Sequence, residues 1–157
     1  MDANAWALVL GSFPGRASLA ASQYYGHPQN QFWRLLGAVL EISLVGQPYE
    51  RRLSLMRVNG VGLWDVITST EREGSLDSAI RNHEASDLHR LLDSLPGLRV
   101  IGFNGGTAAR IGRKQLGERA SSYRLLDLPS SSPAYTLNFD AKLAQWMQLR
   151  DEQENSN

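Results

Sequence analysis

There is no cysteine in this 157-residue chain, so disulfides, thiolate-held zinc and cysteine-bound iron–sulfur clusters are excluded. Histidine is scarce too. His27, His83 and His89 are scattered, and no pair sits at ligand spacing on one helix, so no metal site is expected. Lysine is almost missing: 14 of the 16 basic residues are arginine, and only Lys114 and Lys142 are lysine. Guanidinium groups make forked hydrogen bonds to phosphates, but a GC-rich genome accounts for the bias equally well. Acidic and basic residues cancel to a net charge of zero, which argues against a strongly nucleic-acid-seeking surface. No apolar run approaches the ~18 residues that span a bilayer. Met1-Asp2-Ala3-Asn4 lacks the charged-then-apolar pattern of a signal peptide. A cytoplasmic protein without a membrane partner is expected.

What is present is an alternation of two periodicities. Trp6 to Leu10, Val61 to Val66, Leu98 to Phe103 and Tyr123 to Leu128 read as strands. Between them, helical spacing recurs. Phe32, Leu35, Leu36, Val39 and Leu40 form one stripe, in a helix starting near Asn30. Pro48 opens a second helix that stops at Asn59-Gly60. Ser86 is placed to cap a third, which Pro96-Gly97 ends. Thr107 is placed to cap a fourth, running to Leu116. A fifth runs from Asn138 to about Arg150, with Phe139, Leu143, Trp146 and Met147 inward. Such alternation predicts one α/β domain over residues 1–150, a parallel sheet flanked by helices, then a mobile polar tail over 151–157.

In parallel sheets, ligands sit beyond the carboxyl ends of the strands. Here those ends carry Gly11-Ser12-Phe13-Pro14-Gly15, Trp64-Asp65, Asn104-Gly105-Gly106 and Pro129-Ser130-Ser131-Ser132-Pro133. The connection after the first strand is long and rich in aromatics, including Phe13, Tyr24, Tyr25, Phe32 and Trp33. That suits a pocket lined by aromatic faces. The serines lack a recognisable His and acid partner, so a serine nucleophile is disfavoured. The glycines fit neither the dinucleotide fingerprint nor the nucleoside-triphosphate loop. Aromatic faces, Asp65, Asn104 and a serine turn together suit recognition of a flat heterocycle, as a nucleotide or an extruded base.

Five segments, in order, carry a more specific signal: Gly11-Ser-Phe-Pro-Gly15, Gln23-Tyr-Tyr-x-His-Pro-x-Asn-x-Phe-Trp33, Leu63-Trp-Asp-Val66, Phe103-Asn-Gly-Gly106 and Leu128-Pro-Ser-x-Ser-Pro133. The chain resembles hypoxanthine-DNA glycosylase, the sixth family of the uracil-DNA glycosylase superfamily, from Val9 to about Trp146. The resemblance implies a central four-stranded parallel sheet. It also implies monofunctional hydrolysis of the bond between a deaminated base and deoxyribose in DNA, with no cofactor. Phe13 stands where most of the superfamily carries an acid or amide that handles water. Asn30 is then the residue implied to orient the water, and Asn104 a second functional amide. Phe32 is implied as the face on which the flipped base lies, with Phe13, Tyr25 and Asp65 also around the base. Gly11, Ser12, Pro14 and Gly15 form the implied water- and phosphate-positioning loop. Ser130, Ser131, Ser132 and Pro133 match the phosphate-gripping loop, with Tyr135 as a wedge or as rim packing. Arg110, Arg113, Lys114, Arg119 and Arg124 form either a phosphate footprint or a solvated face. A monomer is expected. A uracil- or xanthine-preferring glycosylase, and a non-catalytic damaged-DNA-binding module, are the alternatives left open.

Overall fold

Ala7 to Leu10 is apolar at every position, and in the computed structural model it is the inner part of strand β1 (Ala7–Ser12). The structure describes residues 3–12, 30–66 and 85–154. A continuous apolar run suits a strand covered on both faces. β1 is accordingly interior to a four-stranded sheet of order β2–β1–β3–β4, with β2 (Val61–Val66), β3 (Val100–Asn104) and β4 (Arg124–Leu128). Every pairing is parallel, as the alternation of elements predicted.

The described helices are α1 (Phe32–Leu40), α2 (Tyr49–Val58), α3 (residues 85–93), α4 (Gly106–Leu116), α5 (Phe139–Trp146) and α6 (Gln148–Glu154). Successive strand residues point to opposite faces, and the core divides accordingly. Val9, Leu63, Val100 and Leu126 pack with α1, α2, α5 and α6. Leu8, Leu10, Ile101 and Phe103 pack with α3 and α4. The α1 stripe is sealed by aromatic edges: the Phe32 ring meets Trp33 at 4.9 Å and Trp146 at 5.8 Å, both nearly perpendicular. Edge-to-face pairs of this kind add ~1 kcal/mol beyond their burial.

Several boundaries differ from the sequence reading, each for a local reason. β1 continues through Gly11 and Ser12 because both find parallel partners, Asp65 and Val66, on β2. Asn104 is the last residue of β3 rather than the first after it, paired with Leu128. α4 is capped by Gly105, not Thr107, because Gly105 takes a φ of +99° that ends the strand one residue earlier. Ser86 lies inside α3, which is already helical at residue 85, the first described residue of this stretch. The last helix does not run unbroken to about Arg150. Met147 separates α5 from α6, and α6 continues to Glu154, tied by an Arg150–Glu154 pair at 3.3 Å and an Arg124–Glu152 pair at 3.2 Å. Residues 151–154 are therefore helix, not tail.

Gly60 sets the entry into β2. Its φ is +78°, and its carbonyl accepts from Trp6 N–H at 2.8 Å, while the Trp6 indole lies where a side chain at position 60 would stand. Gly60→Ala therefore combines a left-handed backbone penalty of ~1–2 kcal/mol with overpacking of ~1–3 kcal/mol. The expected outcome is a fall in Tm of roughly 4–20 °C, read by calorimetry.

Candidate active site

Sheet register places the site before any side chain is considered. Gly11 pairs with Asp65 on one side, and Leu10 pairs with Phe103 on the other, which sets Gly11 beside Asn104. Asn104 in turn pairs with Leu128. Asp65, Gly11 and Asn104 thus form a row across the carboxyl end of the sheet, on the face that carries α1 and α5. Adjacent strands lie ~4.8 Å apart, so the Asp65 and Asn104 backbones are about 10 Å apart. Glycine between them leaves the middle of the row without a side chain. The row therefore carries a carboxyl at one end and an amide at the other, and the space between them is termed the slot.

The amide end is organised by a serine. Ser131 N–H donates to Asn104 Oδ1 at 2.8 Å, and Asn104 Nδ2 donates to Ser131 Oγ at 3.0 Å. Ser131 Oγ–H then donates to Asn30 Oδ1 at 2.9 Å, which also accepts from Phe32 N–H at 2.9 Å. Ser131 O accepts from Gln31 N–H at 3.0 Å, closing a second link between the same two segments. Backbone N–H groups only donate, so both asparagine oxygens are fixed without ambiguity. It follows that both acceptor sites of Asn30 Oδ1 are filled. Both N–H groups of Asn30 Nδ2, and one of Asn104 Nδ2, have no protein acceptor among the described residues. The Asn30 oxygen thus serves the start of α1, whose N-cap position is Gln31, and the nitrogen is left over. Gln31 Oε1, next in the chain, is a buried acceptor without a donor.

Helix α5 holds this loop at two points. Trp146 Nε1 donates to Pro129 O at 2.9 Å, and Lys142 Nζ donates to Ser132 O at 3.2 Å. Positions 142 and 146 lie one turn apart on the same helix face. Gly105 allows the loop to close on β3, since a Cβ there would sit 3.1 Å from Ser130 Cβ. Beside the loop runs an open groove of about 460 Å³, lined by Gly105, Gly106, Pro129, Ser130, Tyr135 and Gln145 among others.

The expected site residues sort unevenly. Asn30, Asn104 and Ser131 come together, with Asp65 across the slot. Phe32 is 0% exposed, its ring nearly perpendicular to those of Trp33 and Trp146, so it is packed in the core and not open to a base here. Ser131 does not grip a phosphate, because it is 1% exposed and its polar groups are spent on the two asparagines and Gln31. Ser130 and Ser132 remain half-exposed, Pro133 is exposed, and Tyr135 is 49% exposed at the end of the loop. Gly11 and Ser12 are strand rather than loop. Phe13, Pro14, Gly15 and Tyr25 lie outside the described residues. The basic cluster is largely neutralised: Arg113 Nη2 reaches both Asp127 carboxylate oxygens at 2.9 and 3.0 Å, Arg119 pairs with Asp93, and Arg124 with Glu152. Arg110 and Lys114 alone of that group carry no such pair among the described residues, so the solvated-face reading of the cluster gains.

Two participants were not evident from the sequence. Ser131 was visible only as one of three equivalent serines, and nothing local marks the middle one as the link. Lys142 had a signal, since it stands one turn from Trp146 on a helix with apolar neighbours, but a lysine there reads as solvated.

Burial raises the Asp65 carboxyl from 3.8 to about 7. For a sealed group that would correspond to ~4 kcal/mol. Asp65 is only partly buried, so solvent screening reduces it to ~2 kcal/mol. The folded state binds the proton more tightly than the unfolded chain, so this contribution to stability is full below about pH 4 and is lost as pH rises through about 7. Asp65→Asn is expected to raise Tm at pH 8 by about 4–8 °C and to match wild type near pH 4. Melting curves across that range check it.

Comparison with known proteins agrees along nearly the whole chain. The uracil DNA glycosylase superfamily matches residues 1–153. A hypoxanthine DNA glycosylase from Methanosarcina barkeri is 38% identical over 151 residues, covering 93% of this chain and 90% of that one. Another, from Methanosarcina acetivorans, is 42% identical over 134 residues, covering 85% and 83%. The solution NMR structure of a candidate uracil DNA glycosylase from Methanosarcina acetivorans aligns with a TM-score of 0.78 at 38% identity, covering 98% of this chain and 94% of that one. By sequence and by fold, this chain belongs to the uracil DNA glycosylase superfamily.

Proposed function

We propose that this chain is a monofunctional DNA glycosylase that removes deaminated bases, chiefly hypoxanthine, and that Asn30, Asn104 and Asp65 carry the reaction. The single observation behind the residue roles is the Ser131 network, which turns two side-chain amides into fixed N–H donors opposite a carboxyl. A flipped base enters the slot. Hypoxanthine has an N–H at N1 and acceptors at O6 and N7. Asp65, ionised, accepts from N1–H; Asn104 donates to O6 or N7. As the C1′–N9 bond breaks, its electron pair leaves with the base, and donation to the base stabilises that charge. Water closes on C1′ and releases its proton to solvent. Asn30 holds that water by donating from Nδ2. Its oxygen is already saturated, so it is not the proton acceptor. A neutral amide suffices because the sugar is already cationic when water arrives.

The stacking face is assigned to Phe13 or Tyr25, since the buried Phe32 is unable to supply it. DNA is the partner, and Ser130, Ser132 and Tyr135 meet its backbone and groove. The motif loops hold no lysine, which disfavours an imine route. Lys142 does reach the Ser132 carbonyl, yet at 1% exposure its amine lies under the loop, away from the slot.

On an inosine duplex treated with alkali, wild type is expected to yield strand breaks, and no adduct is expected with borohydride. A panel with paired uracil and xanthine ranks the substrates; faster cleavage of uracil would overturn the hypoxanthine assignment. Asn30→Ala and Asn104→Ala are each expected to lower the single-turnover rate ~100-fold or more. Ser131→Ala removes the hydroxyl that links the two amides, leaving each oxygen held by its backbone N–H alone, and is expected to cost at least ~10-fold in rate along with ~1–3 kcal/mol of stability.

A further inference from the structure

Lys142 is 1% exposed, the one lysine or arginine among the described residues that is buried to that degree. No carboxylate pairs with it among the described residues. Its Nζ meets the Ser132 carbonyl at 3.2 Å and lies 5.5 Å from the centre of the Tyr135 ring. A buried ammonium without a counter-ion is costly, and desolvation holds it below the ordinary lysine value. Trp146 also anchors the loop, through Pro129.

The loop above this cation has donors to spare. Ser130 Oγ accepts from Ser132 N–H at 3.1 Å, and Ser132 Oγ accepts from Ala134 N–H at 3.2 Å. The hydrogens of those two hydroxyls have no acceptor among the described residues. The Ser131 and Tyr135 N–H groups are consumed within the fold, by Asn104 Oδ1 and Ser132 O. Two free hydroxyl donors over an unmatched positive charge make a seat for an anion.

We propose that Lys142 supplies the counter-charge for a DNA backbone phosphodiester seated on Ser130 and Ser132, acting through the loop that it holds rather than by contact. The proposal rests on the glycosylase reading only in taking DNA as the carrier of that phosphodiester. Lys142 is a positioning residue. The titratable group set against it is Tyr135; Asp140 on its own helix is exposed, and Arg34 of α1 stacks on Phe139 at 3.9 Å.

The chain has only two lysines, which makes the test direct. Protein labelled with carbon-13 at the lysine ε position gives two signals, and Lys114→Arg assigns them. Each is titrated with the protein alone and saturated with a duplex carrying a tetrahydrofuran abasic analogue. The Lys142 midpoint is expected to rise by about one pH unit or more in the complex, because a nearby anion favours the charged form. In parallel, Lys142→Met is expected to bind that duplex ~10-fold more weakly, with a salt slope shallower by up to about one. A Lys142 midpoint unchanged by DNA overturns the proposal. So does a Lys142→Met protein that binds more weakly with an unaltered salt slope, which marks a mere prop. Should Lys142→Met fail to fold, the labelled wild type alone decides. Both readouts report binding. Wild type that shifts Lys142 on DNA but leaves inosine uncut sinks only the glycosylase reading; wild type that cuts inosine with Lys142 unmoved sinks only this inference.

Discussion

One hydroxyl group carries the organisation of this site. Ser131 Oγ accepts a hydrogen bond from one asparagine and donates one to another, 101 positions away in the chain. Around it the Ser131 backbone makes two further bonds, to Asn104 and to Gln31. These contacts join the tip of β3, the start of α1 and the loop after β4. Each is short, and Asn104 and Ser131 are nearly sealed from water, where a hydrogen bond gains strength and a missing partner costs most. The direction of every proton in the set is dictated by backbone donors. That is why the leftover capacity of the two asparagines is donor and not acceptor.

The sheet supplies the other half. Parallel pairing aligns all the strand ends on one rim, so residues from distant parts of the chain arrive at the same level. Glycine at position 11, between an acid and an amide, leaves the middle of a row of three strand tips without a side chain. Burial at the same rim raises the Asp65 carboxyl towards neutrality. A group that titrates near the working pH of a cell is a common feature of reactive sites. Here it sits opposite the fixed donors, so the slot has polarity along its length.

Much of the architecture was legible because it rests on periodicity. Strand and helix patterns alternate cleanly, and the parallel sheet follows. The pairing of Asn30 with Asn104 was legible through motif order. What escaped was the part decided by burial. Phe32 is aromatic and close to Asn30, yet it is turned into the core against Trp146, and sequence alone does not separate a pocket face from a core face. Ser130, Ser131 and Ser132 are identical letters with unlike surroundings: the middle one is buried and bridging, the outer two half-exposed. Lys142 looked like surface because lysine almost always is. Helix ends moved where a single residue, Gly105 or Met147, changed the backbone path.

Since the serine loop is fastened from beneath by Lys142 and Trp146, its shape is not encoded in its own seven residues. Grafting a foreign loop of this length onto the scaffold, with the aim of altering which damaged base is accepted, would import a segment whose carbonyls no longer meet their supports. Successful exchange between relatives would have to move α5 along with the loop as one cassette, and natural variation at positions 129–135 is expected to be matched by compensating change at 142 and 146.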